Sequence, residues 1–350
     1  MYTRINDWHK ITVSESDSFN SSLQVINKGG YQLALVRGDD GKLAGMVTDS
    51  DIRKALLNGV NLDSPIRKVM NTSPLIVSPN LDDNEAINLM QLNHFFHLPI
   101  VDALGMLVGV HVSPTLCTSE QRSETFVIMA GGRGKRLMPL TANVPKPMLP
   151  LQGRPILEHI INRAKYDGFS NIVISVNYLS DVITNYFGNG SNLDVKIDYI
   201  HEGKPLGTAG SLASLPDHTR SNHVVVTNAD VITNVSFGDL VLQAKRDDSD
   251  GVIAVRSHEI QNPFGVVRSK GNILTGLEEK PIYRNQVNAG MYVIGPKLLE
   301  LLNTNSYCDM PDLFGFGLEK GLNLQVFPLH ENWIDIGRPS DYEIACEMHN

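Results

Sequence analysis

Glycines and cations crowd together between residues 131 and 154 of this chain. Gly131, Gly132 and Gly134 are followed by Lys135, Arg136 and Lys146, and the stretch holds no acidic residue although the whole chain carries a net charge of −8. Glycines let backbone N–H groups approach a phosphate without side-chain hindrance, and the cations neutralise it. A local anion site follows. It is not a P-loop, because Gly134-Lys135 is followed by Arg136 rather than Ser or Thr, and it lacks GxGxxG spacing. A second feature of this kind is Asp230, which closes the strand-like run HVVVTNAD. A carboxylate at a strand's carboxyl end, facing phosphates, can hold Mg²⁺, which takes one or two protein carboxylates together with phosphate oxygens.

Such residues need a scaffold. After residue 124 the runs TFVIMA, NIVISVN, VKIDYI, HVVVTNAD, GVIAV, MYVI and LQVFPL alternate with helix-length segments such as PILEHIINRAKYDG and VSFGDLVLQAKRDD. This alternation predicts an α/β domain with a mostly parallel sheet. It places the glycine loop directly after the first strand, Phe126 to Ala130, where ligands bind in open α/β sheets.

The first part of the chain differs in character. Shifting it by 64 positions lays Val13 on Val77, Ser14 on Ser78, Leu23 on Ile87, Val36 on Ile100, Gly41 on Gly105 and Gly45 on Gly109, without a gap. This is a duplication, each copy reading as short strand, helix, two strands around a glycine turn, and helix. The copies span about 1–62 and 63–118, a polar linker spans 119–124, and the α/β domain spans 125–350.

At 350 residues, 42% of them apolar and 19% charged, the chain has room for two or three compact units of ordinary globular composition. No apolar run approaches the roughly 20 residues of a bilayer span, and the start, MYTRINDWHK, carries no secretory core. The scattered Cys117, Cys308 and Cys346 form no CxxC pair and read as packing residues of a reducing compartment. The acidic balance argues against a nucleic-acid partner. The expectation is a cytoplasmic homo-oligomer with neither membrane nor nucleic acid as partner.

The segment Gly131 to Thr141, GGRGKRLMPLT, followed by Pro145-Lys146-Pro147-Met148-Leu149-Pro150, resembles the GGxGxRLxPLT and PKPMLP signature of sugar-1-phosphate nucleotidyltransferases, and the resemblance extends over residues 125–350. It implies a Rossmann-like domain with a mostly parallel mixed sheet. It also implies a reaction in which a sugar 1-phosphate oxygen attacks the α-phosphorus of a nucleoside triphosphate and pyrophosphate leaves. Two polyanions meet there, so cations and Mg²⁺ are needed and a covalent nucleophile is not. By resemblance, Arg136 neutralises the triphosphate and the leaving pyrophosphate, and Lys146 holds the α-phosphate region. Ala130, Gly131, Gly132 and Gly134 cradle the nucleotide. Asp230 and Asp335, the latter in the closing motif WIDIGRP, hold the metal.

The loop EGKPLGTAGS, with Gly207 and Thr208, would lie beneath base and sugar, and Asn177 and Thr208 are candidates for reading the base. Glu279 would bind sugar hydroxyls and Lys280 the sugar phosphate, while Asn288 and Gly290 would line the sugar pocket. A glycosyltransferase would share the strand-terminal aspartate and the metal but would not need Arg136 and Lys146. An inactive nucleotide-binding sensor would not need the full set of charged residues.

The segment GMVTDSDIR, Gly45 to Arg53, resembles the end of a CBS domain, and the tandem resembles the paired α+β module that binds adenine nucleotides. The resemblance implies AMP, ADP or ATP at this pair, with Thr48 on phosphate and Asp51 on ribose hydroxyls. Both residues are equally explained as helix caps. The second copy has Val112 and Thr115 at the matching positions, so at most one such site is expected. A CBS pair ahead of this catalytic domain resembles bacterial guanylyltransferases that make GDP-glucosamine for legionaminic acid synthesis. That implies GTP and glucosamine 1-phosphate as substrates, with mannose-1-phosphate guanylyltransferase as the alternative.

Overall fold

The protein is seen here as a computed structural model that describes residues 4–5, 7–29, 31–93, 95–113 and 121–348. The chain divides into two units, residues 1–120 and 121–350. Among the described residues no helix is long and apolar enough to cross a membrane.

In the first unit the duplication is visible as geometry. Thr12–Ser14 pairs in parallel with Leu33–Arg37, which pairs antiparallel with Leu43–Thr48. In the second copy Val77 bridges in parallel to Ile100, and His97–Val101 pairs antiparallel with Leu107–Val112. The antiparallel pairs are irregular at matching places, between Val36 and Arg37 and between Ile100 and Val101. Their turns hold Gly41 and Gly105 at φ of 81° and 79°, a left-handed conformation that a Cβ would strain. Strands of both copies contribute to one core, where Ile11, Leu33 and Leu35 pack with Leu107, Val110 and Val112. The closing helix expected of the second copy, with Thr115 and Cys117, and residues 119 and 120 of the expected linker lie outside the described residues. Residues 121–124 belong to the second unit: Arg122 bridges to Phe169, and the buried Glu124 pairs with Lys245.

The second unit is built on seven strands: β1 (Thr125–Met129), β2 (Asn171–Val176), β3 (Lys196–His201), β4 (Val224–Asn228), β5 (Gly251–Gln261), β6 (Ile282–Ile294) and β7 (Leu324–Leu329). Their order is β3-β2-β1-β4-β6-β5-β7, and only β6 runs antiparallel to its neighbours. The sheet is therefore mixed and mostly parallel. Because both faces of β1 are covered, Phe126 to Met129 form an unbroken apolar run. Phe126 and Ile128 pack with the helix Ile156–Tyr166 and with Phe237, Leu240 and Val241 of the helix Phe237–Arg246. Val127, on the opposite face, joins Leu212, Leu298, Met310 and Leu313.

The helix Ile156–Tyr166 buries Ile156, Leu157, Ile160, Ile161 and Ala164, a stripe of helical period. The helix Phe237–Arg246 starts where the Ser236 side chain accepts from the Asp239 N–H. Chain order reverses at β1: β2 and β3 extend to one side and β4 lies on the other. The carboxyl ends of β1 and β4 thus border a crevice at the topological switch point.

Candidate active site

The glycine loop leaves the sheet at Ala130, whose N–H is still tied to the Ser175 carbonyl at 2.8 Å. Gly134 then adopts φ of 59°, and a Cβ there would stand 3.0 Å from both the Lys146 Cβ and the Thr141 Cγ2. Thr141 Oγ1 donates to the Gly134 carbonyl at 2.9 Å. The bare backbone of Gly134 is therefore the surface on which the Lys146 stem rests. Lys146 opens a short 3₁₀ turn between Pro145 and Pro147, and it is buried.

Its ammonium pairs with Oδ2 of Asp230. The other carboxylate oxygen of Asp230, Oδ1, is buried and makes no hydrogen bond among the described residues. Asp335 is brought alongside by two short antiparallel strands, Val231–Thr233 and Trp333–Asp335, in which Val231 faces Asp335. Ile336 N–H donates to the Asp230 carbonyl at 3.0 Å. Desolvation, and then the charge of Asp230, push the Asp335 carboxyl above its ordinary range, against the lowering influence of Lys146 and Arg136. Gly337 lies between Arg136 and Asp335: a Cβ on it would be 3.5 Å from Nη1 of Arg136 and 3.6 Å from Oδ1 of Asp335, ordinary contact distances. An orphaned buried carboxylate oxygen beside a second carboxylate is the hard-oxygen donor set that suits Mg²⁺.

These groups border a cleft of about 470 Å³ lined by Ala130, Gly131, Gly132, Gly134, Lys135, Arg136, Lys146, Glu202, Pro205, Gly207, Thr208, Asn228, Asp230, Tyr307 and Gly337. Of the residues expected from sequence, it gathers the glycine loop, Arg136, Lys146, Asp230, Gly207 and Thr208. Asp335 is not among the lining residues and is held alongside Asp230 by the pairing of Val231 with Asp335.

The loop 203–210 is pressed onto the segment 306–310. A Cβ on Gly207, at φ of 79°, would collide with the Cys308 carbonyl oxygen. Thr208 N–H donates to Oδ1 of Asp309 at 3.0 Å, and its Oγ1 accepts from Met310 N–H at 2.8 Å. Thr208 thus anchors the loop to the start of the helix Met310–Glu319, with its hydroxyl already engaged. Asn177 is engaged too, its side-chain amide donating to the Glu202 carbonyl at 2.6 Å.

The remaining expected residues stand outside the cleft lining. Asn288 Nδ2 donates to the Tyr292 hydroxyl, and its Oδ1 accepts from Gly290 N–H. Gly290, at φ of 74°, is approached closely by Asn228, since a Cβ there would lie 2.6 Å from Asn228 Nδ2. Glu279 and Lys280 are exposed at the end of a two-stranded ribbon formed by Val266–Lys270 and Ile273–Glu278. In the first unit, Thr48 and Asp51 form a capping box: Asp51 Oδ2 accepts from the Thr48 N–H at 2.9 Å and from the Thr48 hydroxyl at 2.7 Å.

One cleft residue, Tyr307, was not singled out from sequence, and Glu202 was placed in the loop EGKPLGTAGS without a role for its side chain. Tyr307 sits in TNSYCDMP, which has no periodicity, and is placed by its hydroxyl donating to Oδ2 of the helix-capping Asp309 at 2.7 Å. The side chain of Glu202 turns back toward the glycine loop. Its Oε1 accepts from Ser175 Oγ at 2.7 Å, its Oε2 accepts from Leu206 N–H at 3.0 Å, and Oε1 lies 3.0 Å from where a Gly131 Cβ would stand. A lone glutamate after a strand carries no signal of such a role beyond its place in the motif.

A mostly parallel sheet with a glycine loop, cations and a carboxylate at its switch point defines a phosphate-handling α/β domain. The chain belongs to the nucleotidyl transferase family, whose model matches residues 125–349, and CBS domains match at 6–58 and 66–110. It is 32% identical over 230 residues to the mannose-1-phosphate guanylyltransferase catalytic subunit beta of Danio rerio, covering 64% of each chain. It is 31% identical over 224 residues to the mannose-1-phosphate guanyltransferase of Schizosaccharomyces pombe, covering 62% of this chain and 61% of that one. It therefore spans less than two thirds of the length of these relatives. Among solved structures, HddC from Yersinia pseudotuberculosis superimposes with a TM-score of 0.51 at 25% identity, covering 65% of this chain and 100% of that one.

Proposed function

We propose that the chain transfers a nucleoside monophosphate from GTP to a sugar 1-phosphate and releases pyrophosphate. The observation that carries this reading is the pairing of Lys146 with Asp230 in the cleft of the glycine loop, with Asp335 held alongside by the pairing of Val231 with Asp335. In the reading, backbone N–H groups of Gly131 to Gly134 receive the triphosphate, and Arg136, exposed at the rim, neutralises the departing pyrophosphate. Lys146 offers its ammonium to the α-phosphate, where negative charge builds as the sugar phosphate oxygen attacks. Asp230 and Asp335 would hold Mg²⁺, which when bound supplies charge neutralisation on phosphate oxygens. The attacking oxygen is already anionic, so no side chain has to remove a proton.

Glu202 supports guanine. Guanine presents two adjacent donors, N1–H and N2–H₂, and an ionised carboxylate has about four lone-pair sites of which Ser175 and Leu206 use two. The names of the relatives support guanine as well. For the sugar, those names favour mannose 1-phosphate, and the CBS pair preceding the catalytic unit favours glucosamine 1-phosphate. An adenine nucleotide at the CBS pair would bias the catalytic unit between two states, and Thr48 and Asp51 would have to open their cap to receive it. The test is a matrix of five nucleoside triphosphates against mannose, glucosamine, glucose and N-acetylglucosamine 1-phosphates with Mg²⁺, reading pyrophosphate and nucleotide sugar. GTP-dependent formation of both is expected. Consumption of a nucleotide sugar without pyrophosphate would instead mark a glycosyltransferase.

A further inference from the structure

The Lys146 ammonium stands on the carboxylate that the reading above gives to the metal. Both side chains are largely withdrawn from solvent, with relative exposures of 11% for Lys146 and 22% for Asp230. Asp230 Oδ2 is taken by the ammonium, while Oδ1 lacks a partner. While the Lys146 ammonium sits on Oδ2, its positive charge opposes a second cation at the neighbouring Oδ1. We propose that Lys146 is a resident counter-ion that closes the Asp230 carboxylate to divalent cations until a triphosphate draws the ammonium away. Metal and nucleotide then enter together, and the free chain is kept from loading metal without substrate.

The physical basis is a balance between two cations at one carboxylate. A buried carboxylate without a counter-charge is costly, so one cation has to be present at all times. In the free chain that cation is Lys146. When the phosphates arrive they attract the ammonium and at the same time offer oxygens to the metal, so the exchange leaves no charge uncompensated. Linkage makes this reciprocal: nucleotide must tighten metal binding by the same factor that metal tightens nucleotide binding. Part of that factor comes from phosphate oxygens that ligate the metal, and part from the release of Lys146. Removing the ammonium isolates the second part.

The inference rests on the metal reading of Asp230, and the experiment separates the two. Mn²⁺ binding to the full chain is followed by electron paramagnetic resonance, with and without a non-hydrolysable GTP analogue. Lys146→Gln is expected to tighten Mn²⁺ binding to the free chain about tenfold or more and to shrink the nucleotide–metal coupling by a similar factor, since one buried charge competitor has been removed. Lys146→Met, which fills the same space without a charge, repeats the measurement if the glutamine variant does not yield folded chain. Arg136→Gln removes an equal charge near Asp335 but leaves the Asp230 pair intact, and should tighten Mn²⁺ binding by no more than about threefold, as expected of an exposed charge.

Unchanged or weaker Mn²⁺ binding in both Lys146 variants would overturn the proposal. So would an equal gain in Arg136→Gln, which would reduce the effect to net charge. Mn²⁺ binding that survives unaltered in Asp230→Asn would instead overturn the metal reading itself, and the counter-ion role with it.

Discussion

Replacing Gly134 by alanine tests how the glycine loop and Lys146 depend on each other. Gly134 sits at φ of 59°, and a methyl group there would meet Lys146 Cβ and Thr141 Cγ2, each at 3.0 Å. Placing a Cβ in the left-handed region costs roughly 1–2 kcal/mol, and forcing an extra methyl group into a packed contact costs about 1–3 kcal/mol more. The second unit is large, and a loss of 1 kcal/mol moves the melting temperature of a domain of this size by about 2–4 °C, so a fall of roughly 4–20 °C is expected. The contact is relieved by moving the Lys146 stem a few tenths of an ångström, and because a misplacement of about 1 Å can cost on the order of a hundredfold, kcat/KM should drop about tenfold. Calorimetry and initial-rate assays on Gly134→Ala provide both readings. A variant that melts within a degree of the parent and turns over within twofold of it would refute the coupling between loop conformation and lysine position.

Further outcomes follow from the same geometry. Glu202→Gln should lower kcat/KM for GTP by about ten- to a hundredfold, the loss of a charge-assisted pair of hydrogen bonds worth about 1–3 kcal/mol, while ATP is affected little; equal losses for the two nucleotides would remove Glu202 from base recognition. His97, buried with its Nε2–H donating to the Tyr31 carbonyl, is lowered to about 4, chiefly by desolvation and against the raising influence of that bond and of Asp51. Its folded value lies below the ordinary 6.5, so the stability it contributes is complete above pH 6.5 and is lost as pH falls toward 4, by about 3 kcal/mol at most. Denaturant titrations of the parent should show this slope for the first unit, and His97→Phe should flatten it. Asp51→Ala removes one arm of the capping box and should cost about 1 kcal/mol in the first unit; if an adenine nucleotide acts there, the same variant should abolish its effect on turnover.

The parallel strands of the second unit were legible because both of their faces are buried, which leaves continuous apolar runs such as Phe126 to Met129 that periodicity can find. The duplication was legible to the level of single turns, since Gly41 and Gly105 must both accept a positive φ. The glycine loop, Arg136, Lys146 and Asp230, each singled out by residue type and motif, share one cleft. Contacts that depend on partners distant in sequence were not legible. Thr208 and Asn177 look like free polar groups in the sequence, yet Thr208 is held by Asp309 and Met310, and Asn177 by the Glu202 carbonyl. Nothing local in TNSYCDMP announces that Tyr307 reaches the cleft, because its position is set by a helix cap and by the close backbone approach that Gly207 permits. The pairing of Lys146 with Asp230, 84 residues apart, likewise belongs to tertiary structure.

The most direct test of nucleotidyl transfer at this cleft is pyrophosphate release from GTP and Mg²⁺ with mannose or glucosamine 1-phosphate, measured for the parent chain and for Asp230→Asn. The parent should release pyrophosphate in step with nucleotide-sugar formation, and Asp230→Asn should slow it by on the order of a hundredfold or more, as expected when charge stabilisation at the reacting phosphate is lost. Release that proceeds at the parent rate in the variant would contradict the account.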